Sequence, residues 1–449
     1  MADQLSYTQL VAQALSTASA PLTLDEIWTH VARVRPVKTK NPRSTLRNAL
    51  NSLPLAATLG GRPARYTWWP NHLTGSVFRQ LLSAADVSSG GLVLGIESWL
   101  ALWPDFFVGA LRSACAVTLE LAGGPVLETS VEPLEESGWG LKPIPALATW
   151  YQRVGAAPGD DLIVRVIDVA ARRYAVSLVR QTERDPAAIA ARNRTLADVA
   201  ERLVRQGADD MPDFYLIPRL IASDVYQQAL PPEPWDKVLR ADLRFVVHEG
   251  RSVWLVDRLV DVLERETPPS PDPFDVSRPR GQWRKARGEE ERQAWAEYFF
   301  NRGMDYRRAG YAMADEAYYR AAVRLDPGHA DAWVHIGNRR FGEGLVLEAL
   351  ADYRRGQAAA EARTIGDPAT YSRPFWGDLD SRPFMRALHG QGLCLWRLGQ
   401  TEKARDIFAW MLTLNPNDNQ GVRFLLYDLD EGLSWEESIA HEEQEQQDH

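Results

Sequence analysis

The spacing of apolar residues divides the chain into three stretches. At the N-terminus Leu10, Val11, Ala14 and Leu15 recur at helical spacing behind Ser6-Tyr7-Thr8-Gln9, which has the S-x-x-Q form of a capping box. Ala20-Pro21 interrupts the chain. Thr23-Leu24-Asp25-Glu26 then opens a second helix with Leu24, Ile27, Trp28 and Val31 on one face. A third helix is expected from Arg43 to about Leu53, with Asn41 as N-cap and Pro42 preset for the first turn. Its apolar stripe is Leu46, Ala49, Leu50 and Leu53; the opposite face carries Arg43, Ser44, Arg47, Asn48 and Asn51. Ala57-Thr58-Leu59 and Arg65-Tyr66-Thr67-Trp68 flank the turn Gly60-Gly61-Arg62-Pro63-Ala64 and read as a hairpin. Three helices followed by a short hairpin is the order of a winged helix, and residues 1–80 are assigned to one.

The pattern changes over residues 90–182, which read as a β-rich, small-barrel-like domain. Strands are expected at Ala116–Leu121, Leu162–Asp168 and Tyr174–Val179, with a helix from Ile144 to Arg153 and a tight turn over Ala157–Asp161. Asp160, Asp161 and Asp168 read as turn and strand-end acids, because no His or Lys partner lies close in sequence. Residues 187–263 begin with an amphipathic helix from Ala187 to Gln206. They continue with a segment that reads as a second winged helix, whose third helix is Trp235–Ala241 and whose wing is Leu243–Val247, the turn at His248 and Ser252–Val256. Mixed charge on that third helix points to a structural or interaction role. Residues 264–286 are rich in proline and read as a linker.

The last third is self-similar. From Gly303, Gly337 and Gly392 in turn, a second glycine follows seven residues on (Gly310, Gly344, Gly399) and an aromatic sixteen on (Tyr319, Tyr353, Phe408). Ala349 and Ala404 share one position, where the first copy has Asp315. Residues 361–384 interrupt the second and third copies. These residues resemble the tetratricopeptide repeat, which is assigned to residues 287–436. The stretch RPFMRALHGQG…LNPNDNQGVRFLL is also similar to repeat segments of the suppressor-of-tumorigenicity family. Small residues would let the two helices of a unit pack closely while the aromatic fills the adjoining hole. Three such units present a concave face, normally for an extended peptide. Phe300, Met304, Arg307, Asn338, Phe341, His389, Leu393 and Trp396 are the candidates to line it, with inter-repeat core as the other reading of the aromatics. Residues 437–449 form an acidic, polar tail.

The N-terminal segment, through PLTLDEIW at 21–28, KTKNPRSTLRNAL at 38–50 and RYTWW at 65–69, resembles the HARE-HTH family. That family is a winged helix-turn-helix domain attached to chromatin and restriction-modification proteins, and the likeness implies DNA binding. It covers about 70 of 449 residues.

Composition narrows the class. The chain has 449 residues, 45% of them hydrophobic and 25% charged, the balance of a globular protein of several domains. No signal sequence or membrane span is expected. The most apolar window, Gly90–Leu111, contains Glu97, Pro104 and Asp105 and reads as buried core. Two cysteines, Cys115 and Cys394, suit a reducing cytoplasm and leave no disulfide framework or cysteine zinc site. Net charge is −9, but residues 1–80 hold nine Arg and Lys against three acids and carry +6, leaving −15 on the remainder. A basic head on an acidic body points to a polyanion. No phosphate-binding, dinucleotide, zinc-protease or nucleophile-elbow motif is present, and no cofactor or metal is expected.

The expected fold class is therefore multidomain α+β. It comprises an N-terminal winged helix, a β-rich and helical middle with a second winged helix as one reading, and C-terminal all-α tetratricopeptide-like repeats. The expected function is a non-enzymatic, DNA-binding adaptor of the transcription or chromatin type. Arg43 and Arg47 lie at i, i+4 and project together from the groove-facing helix, with Ser44 beside them. Arginine pairs guanine edges, and Asn48 or Asn51 adenine. Lys38 and Lys40 would hold phosphates, and Arg62 and Arg65 would reach backbone or minor groove from the wing. The partners would be double-stranded DNA, modified or not, and a peptide or protein at the repeat groove. The alternative is a protein-interaction scaffold without DNA binding. A third class, an enzyme with a pocket in residues 90–260, requires convergent carboxylates or a metal there.

Overall fold

The structure, a computed structural model, describes residues 5–36, 39–106, 108, 114–134, 138–207, 210–248, 252–266 and 282–440. The chain is of mixed α and β type and divides into two compact units. One is Met1–Asp242 with Val247–Leu255; the other is Leu243–Val246 with Val256–His449. Most of the expected linker (267–281) and of the acidic tail (441–449) lies outside the described residues.

The first unit opens with α1 (Tyr7–Ser16), β1 (Leu22–Thr23), α2 (Leu24–Val34), α3 (Pro42–Asn51), β2 (Ala56–Gly60) and β3 (Arg65–Trp68). Both capping boxes close: Ser6 Oγ accepts from Gln9 N at 3.2 Å and Thr23 Oγ1 from Glu26 N at 3.3 Å, while the Gln9 and Glu26 side chains accept in return from the cap backbones. Leu10, Val11, Leu15, Ile27, Val31, Leu46, Ala49 and Leu50 then share one core. The sheet runs β1-β3-β2, antiparallel throughout; the short β1 was not legible in the sequence.

Next come β4 (Val77–Leu81), α4 (Ala84–Ser89), β5 (Leu92–Leu94), α5 (Ile96–Leu102), β6 (Cys115–Leu121), β7 (Val126–Leu134), β8 (Gly138–Leu141), α6 (Pro145–Val154), β9 (Asp161–Asp168) and β10 (Arg173–Val179). The seven strands form one sheet in the order β4-β9-β10-β6-β7-β8-β5, with β6 and β10 parallel and the other neighbours antiparallel. β4 belongs to this sheet, so the first domain is cut short of residue 80. The sheet curls. Gly95 N, just after β5, donates to Gln80 Oε1 of β4 at 3.0 Å, so a side chain and not a strand pair bridges the two ends. Of the apolar window expected as core, Leu92, Leu94 and Trp99–Trp103 are buried and Val108 is exposed; residues 107 and 109–111 lie outside the described residues.

Asp161, read above as a turn acid, is 1% exposed and holds a buried ion cluster. Arg184 Nε and Nη2 donate to it at 2.7 and 2.6 Å, and Arg79 Nη1 donates from β4. Two guanidiniums around one carboxylate satisfy the charge that burial alone would not tolerate. Asp160 accepts from the Ala157 and Gln181 amides at 2.9 and 2.8 Å, and Asp168 from Ala171 N at 2.9 Å, as turn acids do.

The chain continues with α7 (Pro186–Gln206), β11 (Asp210–Pro212), α8 (Asp213–Ala222), α9 (Trp235–Ala241), β12 (Phe245–His248), whose first two residues count with the second unit, and β13 (Ser252–Leu255). β11 pairs antiparallel with β13 and, like β1, is a two- or three-residue strand ahead of a helix. The order helix, short strand, helix, helix, strand, strand thus occurs twice in the chain.

The second unit contains α10 (Val256–Glu266), α11 (Glu289–Arg308), α12 (Ala312–Leu325), α13 (Ala330–Gly342), α14 (Val346–Ala360), α15 (Arg382–Arg397), α16 (Thr401–Leu414) and α17 (Val422–Asp430). Three helix pairs, α11–α12, α13–α14 and α15–α16, share one device. A β-carbon built on Gly303 would meet the Tyr319 ring at 2.6 Å, on Gly337 the Tyr353 ring at 2.8 Å, and on Gly392 the Phe408 ring at 2.2 Å. The linking turns pass through Gly310, Gly344 and Gly399 at φ +82°, +77° and +71°, where a side chain would be strained. Residues 361–365 continue α14 as a π-helical turn, which begins the interruption before α15.

Two outcomes are expected. Gly392→Ala should lower unfolding stability by about 1–3 kcal/mol through overpacking, and Gly392→Ala with Phe408→Leu should recover part of it. Urea denaturation checks both; an unchanged double variant would remove this contact as the cause. Glu97 is buried, accepts from Trp235 N at 3.1 Å, and is pushed up to about 8 by burial and then by Asp236. A folded state that keeps this proton gains most below pH 4.5 and loses stability as pH rises toward 8, by at most about 1.4 kcal/mol per pH unit. Denaturation from pH 5 to 8 should show this fall in the wild type and a flatter profile in Glu97→Gln.

Candidate nucleic-acid and partner surfaces

α3 starts as its sequence dictates. Asn41 Oδ1 accepts from Ser44 N at 3.2 Å, and Pro42 occupies the first turn. Because Leu46, Ala49 and Leu50 are buried, the helical period forces Arg43, Arg47, Asn48 and Asn51 outward, and all four are exposed. Ser44 is half-buried under its cap. Lys40 is exposed ahead of the helix; Lys38 lies outside the described residues. Arg43 is already paired at the surface, its Nη2 2.9 Å from Asp25 Oδ1, with both side chains more than half exposed. Such a pair is worth less than about 1 kcal/mol and is readily exchanged for a stronger anion.

The wing arginines differ from each other. Arg62 is exposed at the hairpin tip. Arg65 Nη1 donates to the Pro21 carbonyl at 3.0 Å, so one arm of its guanidinium ties the hairpin to the segment before β1. The hairpin's other side abuts α7, where a β-carbon on Gly60 would collide with Gln206.

Asn51 opens onto a different feature. A cleft of 860 Å³ is walled on one side by Leu50–Pro54 and β2 and on the other by β11 and α8. Two aromatics on α8, Phe214 and Tyr215, are 45% and 52% exposed with ring centroids 4.4 Å apart. Sequence reasoning did not select them. The signal was there in Asp213-Phe214-Tyr215-Leu216-Ile217, where one helical turn is apolar all round and cannot bury every side.

In the second unit a smaller pocket of 210 Å³ lies between α11, α12 and α13, and its lining includes Arg307, Asp315, Glu316, Tyr319, His335, Asn338 and Arg339. Arg307 contacts His335 Nδ1, and Asn338 Oδ1 accepts from Tyr353 Oη at 2.8 Å. Phe300 stands behind this wall against the rings of Tyr319, His329 and His335, and Met304 Sδ accepts from Tyr319 Oη at 3.4 Å. Burial pushes Asp315 up to about 6 and His335 down to about 4. Glu316 is buried and salt-bridged to Arg320 at 2.6 Å. Asp315 takes the place of the small Ala349 and Ala404 of the other pairs, which gives the first pair its carboxylate.

Of the other expected groove residues, Trp396 is buried, while Phe341, His389 and Leu393 are half-buried. Trp396 is 3% exposed; its Nε1 donates to the Leu433 carbonyl at 3.0 Å and its ring meets Trp435 edge-on at 5.6 Å. Phe341 packs on Trp435 at 5.3 Å beneath the Arg397 guanidinium, and Leu393 is partly buried against the same core. Burial drives the His389 imidazole down to about 4. Trp435, beyond α16, packs on Trp396 and Phe341, and the glycine spacing carries no trace of that return. Among the described residues, no group of three His, Cys, Asp or Glu is placed to hold a metal. Cys115 and Cys394 are both buried thiols, and no described helix is long and apolar enough to cross a membrane.

No protein-family model matches this chain, and no curated protein matches it.

Proposed function

We propose that the protein is a DNA-binding adaptor. The first helical trio acts as a winged helix that holds duplex DNA on the outer face of α3, and the C-terminal helix pairs, read as tetratricopeptide-like repeats, hold a protein partner. The observation that carries this reading is the solvent exposure of Arg43, Arg47 and Asn48 on a helix whose opposite face is core. Exposed Lys40 ahead of the helix and Arg62 at the hairpin tip extend the same basic surface, within residues 1–76, which hold eight Arg and Lys against three acids. In the complex Arg43 exchanges Asp25 for a phosphate or a guanine edge, Arg47 and Asn48 read neighbouring bases, and Lys40 and Arg62 grip the backbone. The reading assigns no catalytic residue. In the repeat region, Arg307 and Asn338 are the groove residues that meet the pocket.

A second reading is a protein-interaction scaffold, favoured by the Arg43–Asp25 and Arg65–Pro21 contacts, which partly spend the basic surface within the chain. One titration separates the two. Fluorescence anisotropy of the full chain with a random-sequence duplex should give an affinity that falls steeply between 50 and 200 mM salt. Arg43→Ala with Arg47→Ala should weaken it about tenfold or more, with a shallower salt slope. Unchanged affinity in the double variant would overturn the assignment of α3 as the contacting helix.

A further inference from the structure

The cleft between the first helical trio and α8 has no part in the reading above, and its walls are unusual in kind. β2 is the terminal strand of the order β1-β3-β2, and β11 the terminal strand of the sheet it forms with β13. Residues of both strands, Ala56–Thr58 and Asp210–Pro212, line one space of 860 Å³. A strand edge offers a row of amide and carbonyl groups at strand spacing, which is the recognition surface for an added extended chain. The lining mixes apolar Leu53, Met211 and Pro218 with polar Asn51, Thr58 and Asp210, and the exposed Phe214 and Tyr215 belong to it.

Arg219 supplies the chemistry. Its Nη1 has only weak partners, the Tyr215 carbonyl at 3.3 Å and Met211 Sδ at 3.6 Å, and its guanidinium lies 5.7 Å from the centre of the Tyr215 ring. Among the described residues no carboxylate pairs with it, and Asp210, the acid on the cleft wall, is not its partner. Burial lowers its affinity for its proton. A partly desolvated cation without a counter-ion is stabilised by an anionic group brought in by a ligand.

We propose that this cleft binds an extended peptide segment of a partner protein, added as a strand along β2 or β11, with an acidic side chain seated on Arg219 and flanking apolar residues against Phe214 and Tyr215. The strand edges recognise the backbone, and Arg219 selects the acid. This binding does not depend on DNA contact by α3.

The test is selection of a displayed random octapeptide library on the full chain, followed by anisotropy titration of the enriched peptides. Enriched sequences should alternate apolar residues around one Asp or Glu. Replacing that acid by its amide, or making Arg219→Gln, should weaken binding at least tenfold, and the two changes together no more than either alone. Phe214→Ser with Tyr215→Ser, at exposed positions, should weaken binding with unchanged thermal stability. The proposal is overturned if no acidic alternation is enriched, or if enriched peptides bind Arg219→Gln as tightly as the wild type. It is equally overturned if Arg219→Gln weakens duplex binding alone, which would give the cleft to nucleic acid.

Discussion

A helix pair can close tightly only where one helix offers no side chain to the other. In the second unit that condition is met three times by the same means: a glycine on the first helix, an aromatic ring laid flat against it from the second, and a left-handed glycine in the turn between. The ring fills the hole that the missing side chain leaves, so burial and close approach are one interaction. Buried ion pairs lie in the first and second of these helix pairs.

Those ion pairs are the second constraint. Arg320 and Glu316 are buried together in the first helix pair, as Arg340 and Asp352 are in the second. Arg79, Asp161 and Arg184 form the equivalent cluster in the curled sheet. Removing one member leaves a charge that the interior cannot solvate. Asp161, Glu316 and Asp352 are thus held as partners of buried guanidiniums, and a charge without such a partner is open to a ligand. In the first unit Arg219 at the cleft is one such charge. In the second unit burial raises the carboxyl of Asp315, which stands where the other two helix pairs carry alanine.

The first unit separates its surfaces by helical geometry. α3 turns Leu46, Ala49 and Leu50 inward, so its arginines and asparagines leave on the other side whatever their role. Asn51, one turn beyond Arg47, already faces the cleft. The surface proposed for a polyanion and the surface proposed for a peptide are thus adjacent sides of one small helix bundle.

Local rules settled much of this from the residues alone. The capping boxes at Ser6 and Thr23, the Asn41-Pro42 start, the hairpin glycines and the seven- and sixteen-residue glycine spacings are short-range chemistry, so the helices, their exposed faces and the glycine–aromatic contacts were legible in one dimension. Long-range pairing was not. The parallel junction of β6 with β10, the capture of β4 by β9, the pairing of Asp161 with Arg79 and the burial of Trp396 under Trp435 each join residues whose spacing carries no period. The cleft also belongs to tertiary structure, because two strand edges and a lone arginine become a site only when folding sets them side by side, and that depends on packing energies summed over the whole unit and on no local pattern.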